Sequence, residues 1–231
     1  MCRGSGEFMQ RQIDVELGSL RAIILSMGQA VEQALAEATG GLIDRDSKRL
    51  DCVRAFENQI NAYHLEVDEK CLKIIAAQSP LAADLRMILA IIKINADLER
   101  MGDQAMNISY NVRDYLTKAP LEHALKIGDM AERVKKMVRD AMEAFVKGDI
   151  KLSESVLLQD DEVDAGKNET FKRLVILMKK DPHSVDAAVD LMLVSRNLER
   201  LGDHATNIAE DVIFASTGKD IRHSGFTQSS A

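Results

Sequence analysis

The sequence predicts an all-α protein made of two tandem, internally repeated antiparallel three-helix bundles, six long helices in total. Three observations predict it. Apolar residues recur at alternating steps of four and three almost throughout, which lines one stripe of a helix. Aromatic residues are only 4% of the 231, with no tryptophan and three prolines, whereas β-sandwiches and barrels lean on aromatic and β-branched side chains. Finally, short motifs of the first half return in the second, as a duplicated unit requires.

The elements follow in order. Residues 1–8, Met-Cys-Arg-Gly-Ser-Gly-Glu-Phe, have no apolar core, so they are no signal peptide and read as an expression scar, with native sequence expected from near Met9. The first seam is Ile13, Leu17, Leu20, Ile24, Met27, Val31, Ala34 and Ala38. Gly40-Gly41 with Asp44-Arg45-Asp46 should turn the chain. Val53, Phe56, Ile60, Tyr63, Val67, Cys71 and Ile74 form the second seam, and Ser79-Pro80 ends it. The third carries Ile91, Ile94, Leu98, Met101, Ala105, Ile108, Val112 and Tyr115. Each helix should be about 30 residues, or about 45 Å.

After Lys118-Ala119-Pro120 the pattern restarts. Met130, Val134, Met137 and Ala141 mirror Met27, Val31, Ala34 and Ala38, and Asp149 mirrors Asp46. Leu98-Glu99-Arg100-Met101-Gly102-Asp103 returns as Leu198-Glu199-Arg200-Leu201-Gly202-Asp203, and Asn107-Ile108 as Asn207-Ile208. The offset shifts between the early and late parts, which predicts loops of different length before the two third helices. The units are assigned to residues 9–118 and 121–217, followed by a polar tail, 218–231, expected to be disordered from Ser224 onward. Leu85 through Ile94 and Leu191-Met192-Leu193-Val194 are apolar on nearly all sides. Such stretches should pack where the bundles meet, with membrane or partner docking as the alternative.

Thirty basic and 37 acidic side chains leave a net charge of −7. That balance argues against gripping nucleic acid or anionic lipid, both of which need a basic face. Proteins and cations are the expected partners. Cys2, Cys52 and Cys71 show neither metal-type spacing nor an even count, which fits a reducing compartment. No apolar run is long enough to span a bilayer, and a cytoplasmic location is expected.

The chemistry concentrates in Glu-Arg-x-Gly-Asp, which occurs twice. Glu99 and Asp103, and Glu199 and Asp203, stand four apart on one helical face, turned away from the seam. Like charges at that spacing destabilise a helix by about 0.2–0.5 kcal/mol, and Gly102 or Gly202 in mid-helix costs about 1 kcal/mol more. A cation would relieve the first cost, and close approach of another backbone would explain the second. The second helix of each unit adds Glu57 with Asn61 and Asp160 with Asp164, beside the seam and able to reach a neighbour. Two oxygen-bearing pairs on adjacent helices suit a hard cation: iron, manganese, magnesium or calcium. The simpler reading is a solvated acidic face with salt bridges from Arg100 to Asp103 and Arg200 to Asp203.

An enzyme is not expected. A carboxylate-bridged di-iron oxidase or storage bundle needs Glu-x-x-His on two helices, and no histidine here lies three residues after a glutamate. The nearest approach is Asp220-Ile221-Arg222-His223, in the tail. His204 follows Asp203 directly and must face elsewhere, while His64, His123 and His183 read as isolated surface residues. No phosphate loop, dinucleotide fingerprint, nucleophile elbow or zinc cluster is present, and no organic cofactor is implied.

These residues resemble the PhoU family, regulators of bacterial phosphate uptake, over nearly the whole chain. In the first half the resemblance rests on Pro80, Ala83-Asp84-Leu85-Arg86, Lys93, Asp97-Leu98-Glu99-Arg100, Gly102-Asp103 and Asn107-Ile108. In the second it rests on Leu198 through His204 with Asn207-Ile208. Met27-Gly28, Val31-Glu32 and Asp220 through His223 also look like the family. The resemblance implies two three-helix bundles and negative control of phosphate uptake and phosphate-starvation signalling. It further implies a non-catalytic adaptor between the ATP-binding subunit of a phosphate ABC transporter and a membrane sensor histidine kinase, meeting the membrane only through these partners. Some members hold metal clusters through paired acid motifs. Carried over, the ligands would be Glu57, Asn61, Glu99 and Asp103 in one half, and Asp160, Asp164, Glu199 and Asp203 in the other. Asn61 departs from the all-acid form, so the first site is expected to bind more weakly. A homodimer is the expected assembly, and a metal-free helical scaffold is the rival reading.

Overall fold

The computed structural model describes residues 12–121 and 124–222. The expression-scar assignment, Cys2, His123, His223 and the tail from Ser224 onward lie outside the described residues. Among the described residues six long helices form: α1 (Gln12–Ile43), α2 (Ser47–Gln78), α3 (Ala82–Leu116), α4 (Ala124–Lys147), α5 (Ile150–Lys180) and α6 (Val185–Thr217). A single 3₁₀ turn, Pro182–Ser184, leads into α6.

The starts and stops have local causes. Asp46 caps α2 by accepting from the Lys48 amide at 2.9 Å, and its repeat mate Asp149 caps α5 from the Leu152 amide at 3.1 Å. Ser79, with φ of 44°, ends α2 in the left-handed region ahead of Pro80. The loop difference predicted from the offset is here: three residues separate α2 from α3, whereas Asp181 alone precedes the 3₁₀ turn in the second half.

Gly40-Gly41 does not turn the chain. Both residues are buried inside α1, and the turn begins only after Ile43, at Asp44-Arg45-Asp46. A Cβ on Gly40 would collide with Arg49 and one on Gly41 with Leu50, so these glycines let the first turns of α2 lie against α1. Arg45, at φ of 51°, takes the positive-φ position instead. Its guanidinium stacks over the Tyr115 ring and donates to the carbonyls of Leu116 and Lys118 at 3.1 and 3.0 Å, tying this turn to the end of α3.

The predicted seams are the core: Leu20, Ile24, Met27, Val53, Ile60, Ile94, Leu98, Met101, Val134, Val163, Leu198 and Leu201 are all buried. Each half packs as a three-helix bundle, α1–α3 and α4–α6, and the two bundles join along one side. Among the described residues, α2 packs on α1 and α3, and α5 on α4, α6 and the 3₁₀ turn, whereas α1 also packs on α4 and α3 on α6. Four helices thus share one interior, flanked by α2 and α5. Where α1 crosses α4, a Cβ on Gly28 would come within 2.8 Å of Met142 Cγ, so glycine admits the thioether. The apolar starts of α3 and α6 divide in use. Ile88, Ile91, Ile94, Leu191 and Val194 are buried, whereas Leu85, Leu89, Val189 and Leu193 stay 39–43% exposed.

Polar contacts fix the α3–α6 register. Lys93 Nζ reaches Asp211 Oδ1 at 3.1 Å, and Asp97 Oδ1 meets His204 Nδ1 at 2.8 Å and Asn207 Nδ2 at 3.2 Å. Lys118 pairs with Asp190. The helices are therefore antiparallel, and each pair is made once: the repeat mates of Lys93, Asp97, Lys118 and His204 are Leu193, Asn197, Gly218 and Gln104. Asp211 is buried, which pushes its carboxyl up, while the Lys93 ammonium pulls it back.

Candidate functional site

The two acid-bearing clefts lie between α2 and α3 in the first half and between α5 and α6 in the second. Helical spacing puts Glu57 and Asn61 on α2 toward Glu99 and Asp103 on α3, and Asp160 and Asp164 on α5 toward Glu199 and Asp203 on α6. As expected from the wheel, these groups sit outside the core: Asp103, Asp164 and Asp203 are exposed, and Glu57, Asn61, Glu99, Asp160 and Glu199 are half-buried. The mid-helix glycines have a different cause from the one predicted. A side chain covers them, not a backbone: Ile60 would stand 3.1 Å from a Cβ on Gly102, and Asp160 and Val163 each 3.5 Å from one on Gly202.

In the second half the four acids act on one another. Burial raises the Asp160 carboxyl to about 6, with further push from Asp203, Asp164, Asp161 and Glu199. Asp203 is raised too, by burial first and then by Glu199 and Asp164, against the pull of His204 and Lys167. Nothing in the spacing pointed to Lys167. Its Nζ lies 2.7 Å from Glu199 Oε1 and 3.1 Å from Asp164 Oδ1, so one flexible ammonium already answers two of the four acids.

The first half is arranged otherwise. Asn61 Nδ2 donates to Glu57 Oε1 at 2.7 Å, an internal hydrogen bond in place of a repulsion. His64 stands at the repeat position of Lys167 and turns away, its Nε2 3.7 Å from Asp68 Oδ2 and its Nδ1 buried without a partner. His64 is thus half-buried, not an isolated surface residue, whereas His183 is exposed. Glu57 and Asp103 border a polar cleft of about 380 Å³ with Arg54, Gln104, Asn107 and Tyr110, in which Arg54 donates to the Tyr110 hydroxyl at 3.0 Å.

These donors fit a hard cation in kind. The mutual repulsion around Asp160 and Asp203 is the charge density that a divalent ion relieves. Among the described residues, no three His, Cys, Asp or Glu side chains are gathered tightly enough to hold an ion as they stand. Ligation would need Lys167 to leave the second cleft and the Asn61–Glu57 bond to open in the first. The salt bridges expected from Arg100 to Asp103 and from Arg200 to Asp203 do not form. Both arginines are exposed and have no partner among the described residues. His204 faces elsewhere, as expected, and the seam contact with Asp97 is its destination. Cys71 is buried, and desolvation pushes its thiol up to about 11, so it is an inert core residue, while Cys52 is exposed.

A duplicated long-helix protein with acid pairs in both halves and a shared four-helix interior is the class these observations define. A family model described as the PhoU domain matches residues 24–112 and 127–212. The chain is 36% identical over 221 residues to the phosphate-specific transport system accessory protein PhoU homolog of Pseudomonas aeruginosa, spanning 95% of this chain and 91% of that one. The homolog of the same description from Zymomonas mobilis is 36% identical over 211 residues, covering 91% and 89%. The crystal structure of PhoU from Pseudomonas aeruginosa superposes with a TM-score of 0.87 at 36% identity, covering 90% of this chain and all of that one. The phosphate transport system regulatory protein PhoU from Streptococcus pneumoniae gives 0.83 at 26% identity, covering 90% and 99%. The chain belongs to the PhoU family.

Proposed function

We propose that this protein is a non-catalytic accessory regulator of a phosphate transport system. It would restrain phosphate uptake and phosphate-starvation signalling from the cytoplasm, as a homodimeric adaptor between the transporter's ATP-binding subunit and a membrane sensor histidine kinase. The observation that carries this reading is the near full-length likeness to proteins described as phosphate-specific transport system accessory proteins. Among the described residues, no helix is long and apolar enough to cross a membrane.

Glu57, Asn61, Glu99 and Asp103 would hold a cation in one half and Asp160, Asp164, Glu199 and Asp203 in the other. An iron, manganese, magnesium or calcium ion there supplies charge neutralisation, not turnover. Occupancy biases docking only through a difference in cation affinity between docked states. A metal-free scaffold is the second reading, favoured by Lys167, which already neutralises part of the second cleft. It predicts intact partner binding after the acid pairs are neutralised.

The test is affinity co-purification from cells of the source organism grown in high and then low phosphate, with mass-spectrometric identification. Recovery of the transporter's ATP-binding subunit or of a sensor kinase supports the adaptor. Recovery of neither under both conditions overturns it.

A further inference from the structure

The second half keeps a cavity where its repeat mate places a side chain. Between α4 and α5 lies a cleft of about 450 Å³, with buried Met130 and Thr170 in its wall and Gly166 at its edge. A Cβ on Gly166 would meet nothing within 4 Å, so this glycine admits no neighbouring side chain, unlike Gly28, Gly40 and Gly41. The offset that pairs Met27 with Met130 and Asp46 with Asp149 pairs Tyr63 with Gly166. The Tyr63 ring is half-buried and packs against the core, and its hydroxyl accepts from Gln59 Nε2 at 3.2 Å. One half seats a phenol side chain at this position, and the other has open space.

The walls of the cleft suit the same ring. Thr170 is 5% exposed and has no hydrogen-bond partner among the described residues, whereas Thr39 and Thr217 donate to the carbonyls four residues back at 2.7 and 2.8 Å. Met130 is buried, and a thioether packs favourably on an aromatic ring. At the repeat position of Gln59 stands Glu162, a carboxylate that accepts where the first half donates. The charges of the rim balance. Arg133 pairs with Glu162, and Lys126 and Arg173 share Glu169, while Asp129 has no partner among the described residues. No surplus cation is there to select an anion, so a neutral ring that donates a hydrogen bond is the match.

We propose that the α4–α5 cleft is a binding site for a neutral phenol ring, seated against Met130 and Thr170 with its hydroxyl donating to Glu162. The ligand brings to the second half what Tyr63 supplies to the first from within the chain. Burial of the ring supplies affinity. The hydroxyl supplies choice, since a ring without a donor leaves the acceptor unanswered. The cleft opens on the α4 side of α5, whereas the acid pairs face α6, so its occupancy requires no cation there. Two sources carry this chemistry: a free small phenol, or a tyrosine side chain of a bound polypeptide.

The experiment titrates the full chain, carrying isotope-labelled methionine methyl groups, with p-cresol and separately with N-acetyl-tyrosinamide. The Met130 methyl signal, assigned through M130L, is followed by NMR. p-Cresol should shift it with a Kd of about 1 mM or tighter. G166Y, which supplies the ring from the chain itself, should abolish the shift. G166A adds only a Cβ in open space and should leave the affinity within about threefold. p-Methylanisole, which has no donor, should bind at least about threefold more weakly than p-cresol, and E162A should weaken p-cresol by as much. Tighter binding of N-acetyl-tyrosinamide than of p-cresol identifies a polypeptide source, and the reverse order a free phenol; either upholds the site. No Met130 shift with either probe at about 10 mM, a shift that survives G166Y, or an affinity indifferent to both the methyl ether and E162A overturns the proposal. G166Y should also melt above the unsubstituted chain by at least about 2 °C, from helix propensity and a filled cleft. A lower melting temperature would mean that the cleft does not seat the ring, which overturns the proposal as well.

Discussion

The two halves share a backbone plan and differ in how they treat the same four acid positions. In the first, Asn61 replaces one acid and hydrogen-bonds Glu57, and His64 turns away to Asp68. In the second, all four are acids, Asp160 is pushed to about 6, and Lys167 reaches in to Glu199 and Asp164. One half lowers repulsion by deleting a charge, whereas the other keeps the charge and tethers a counter-ion beside it. A covalently attached ammonium is replaceable by a cation; a deleted carboxylate is not. On the proposed cation-binding reading, the second half would be the exchangeable site.

Four measurements break or sharpen that contrast. The largest effect is expected from Glu199→Ala with Asp203→Ala, which should abolish cation binding in the second half and leave any binding in the first. Elemental analysis after dialysis against manganese or iron reads it, and unchanged metal content refutes the ligand assignment. Next, Lys167→Ala should tighten cation binding there by about tenfold, the equivalent of about 1.4 kcal/mol for one charge-assisted contact no longer in competition. Titration calorimetry checks this, and an unchanged affinity would mean that the lysine is a bystander.

The third concerns pH. The folded Asp160 carboxyl, at about 6, lies above its unfolded value near 3.9. Its contribution to stability is therefore fully present below about pH 4 and lost as pH rises through about 6. Asp160→Asn should flatten that window and stabilise the metal-free protein at pH 7. The gain is about 1 kcal/mol, reduced from the nominal value of two pKa units by solvent screening at a half-buried site. Thermal melts at pH 4.5 and 7 decide it. The smallest effect separates the two glycines. Gly202→Ala meets only ordinary contacts at 3.5 Å and should recover helix propensity, whereas Gly102→Ala must displace Ile60 from 3.1 Å. The first variant should melt higher than the second by about 2–4 °C. The reverse order would show that the two clefts pack alike.

Much of the fold was legible in the sequence because helical burial is periodic. Leu20, Ile24, Met27 and Val31 announce a stripe whatever they pack against, and Asp46 and Asp149 announce capped starts through a contact two or three residues away. Gly40-Gly41 misled for the opposite reason. Glycine marks either a turn or a close approach, and only the position of Arg49 and Leu50 decides between them. The acid pairs were legible as pairs, since i and i+4 share a face on any helix. Lys167 was not, because its partner Glu199 is 32 residues away and its own spacing to Asp164 looks like any surface ion pair. A signal did exist at the α3–α6 seam. Asp97 against Asn197 and His204 against Gln104 break an otherwise close repeat, and these breaks are where one half meets the other.

The sequence by itself determined six helices, their order, their buried stripes and the duplication, since each follows from local propensity and period along one chain. Only the tertiary structure decided that the halves share an interior through α1 with α4 and α3 with α6. It alone decided that Arg100 and Arg200 ignore their neighbouring aspartates, and that one lysine sits in one of two equivalent clefts. Those outcomes depend on the register between helices. Register is set by contacts such as Lys93–Asp211 and Asp97–His204, between residues more than a hundred positions apart, where no local rule reaches.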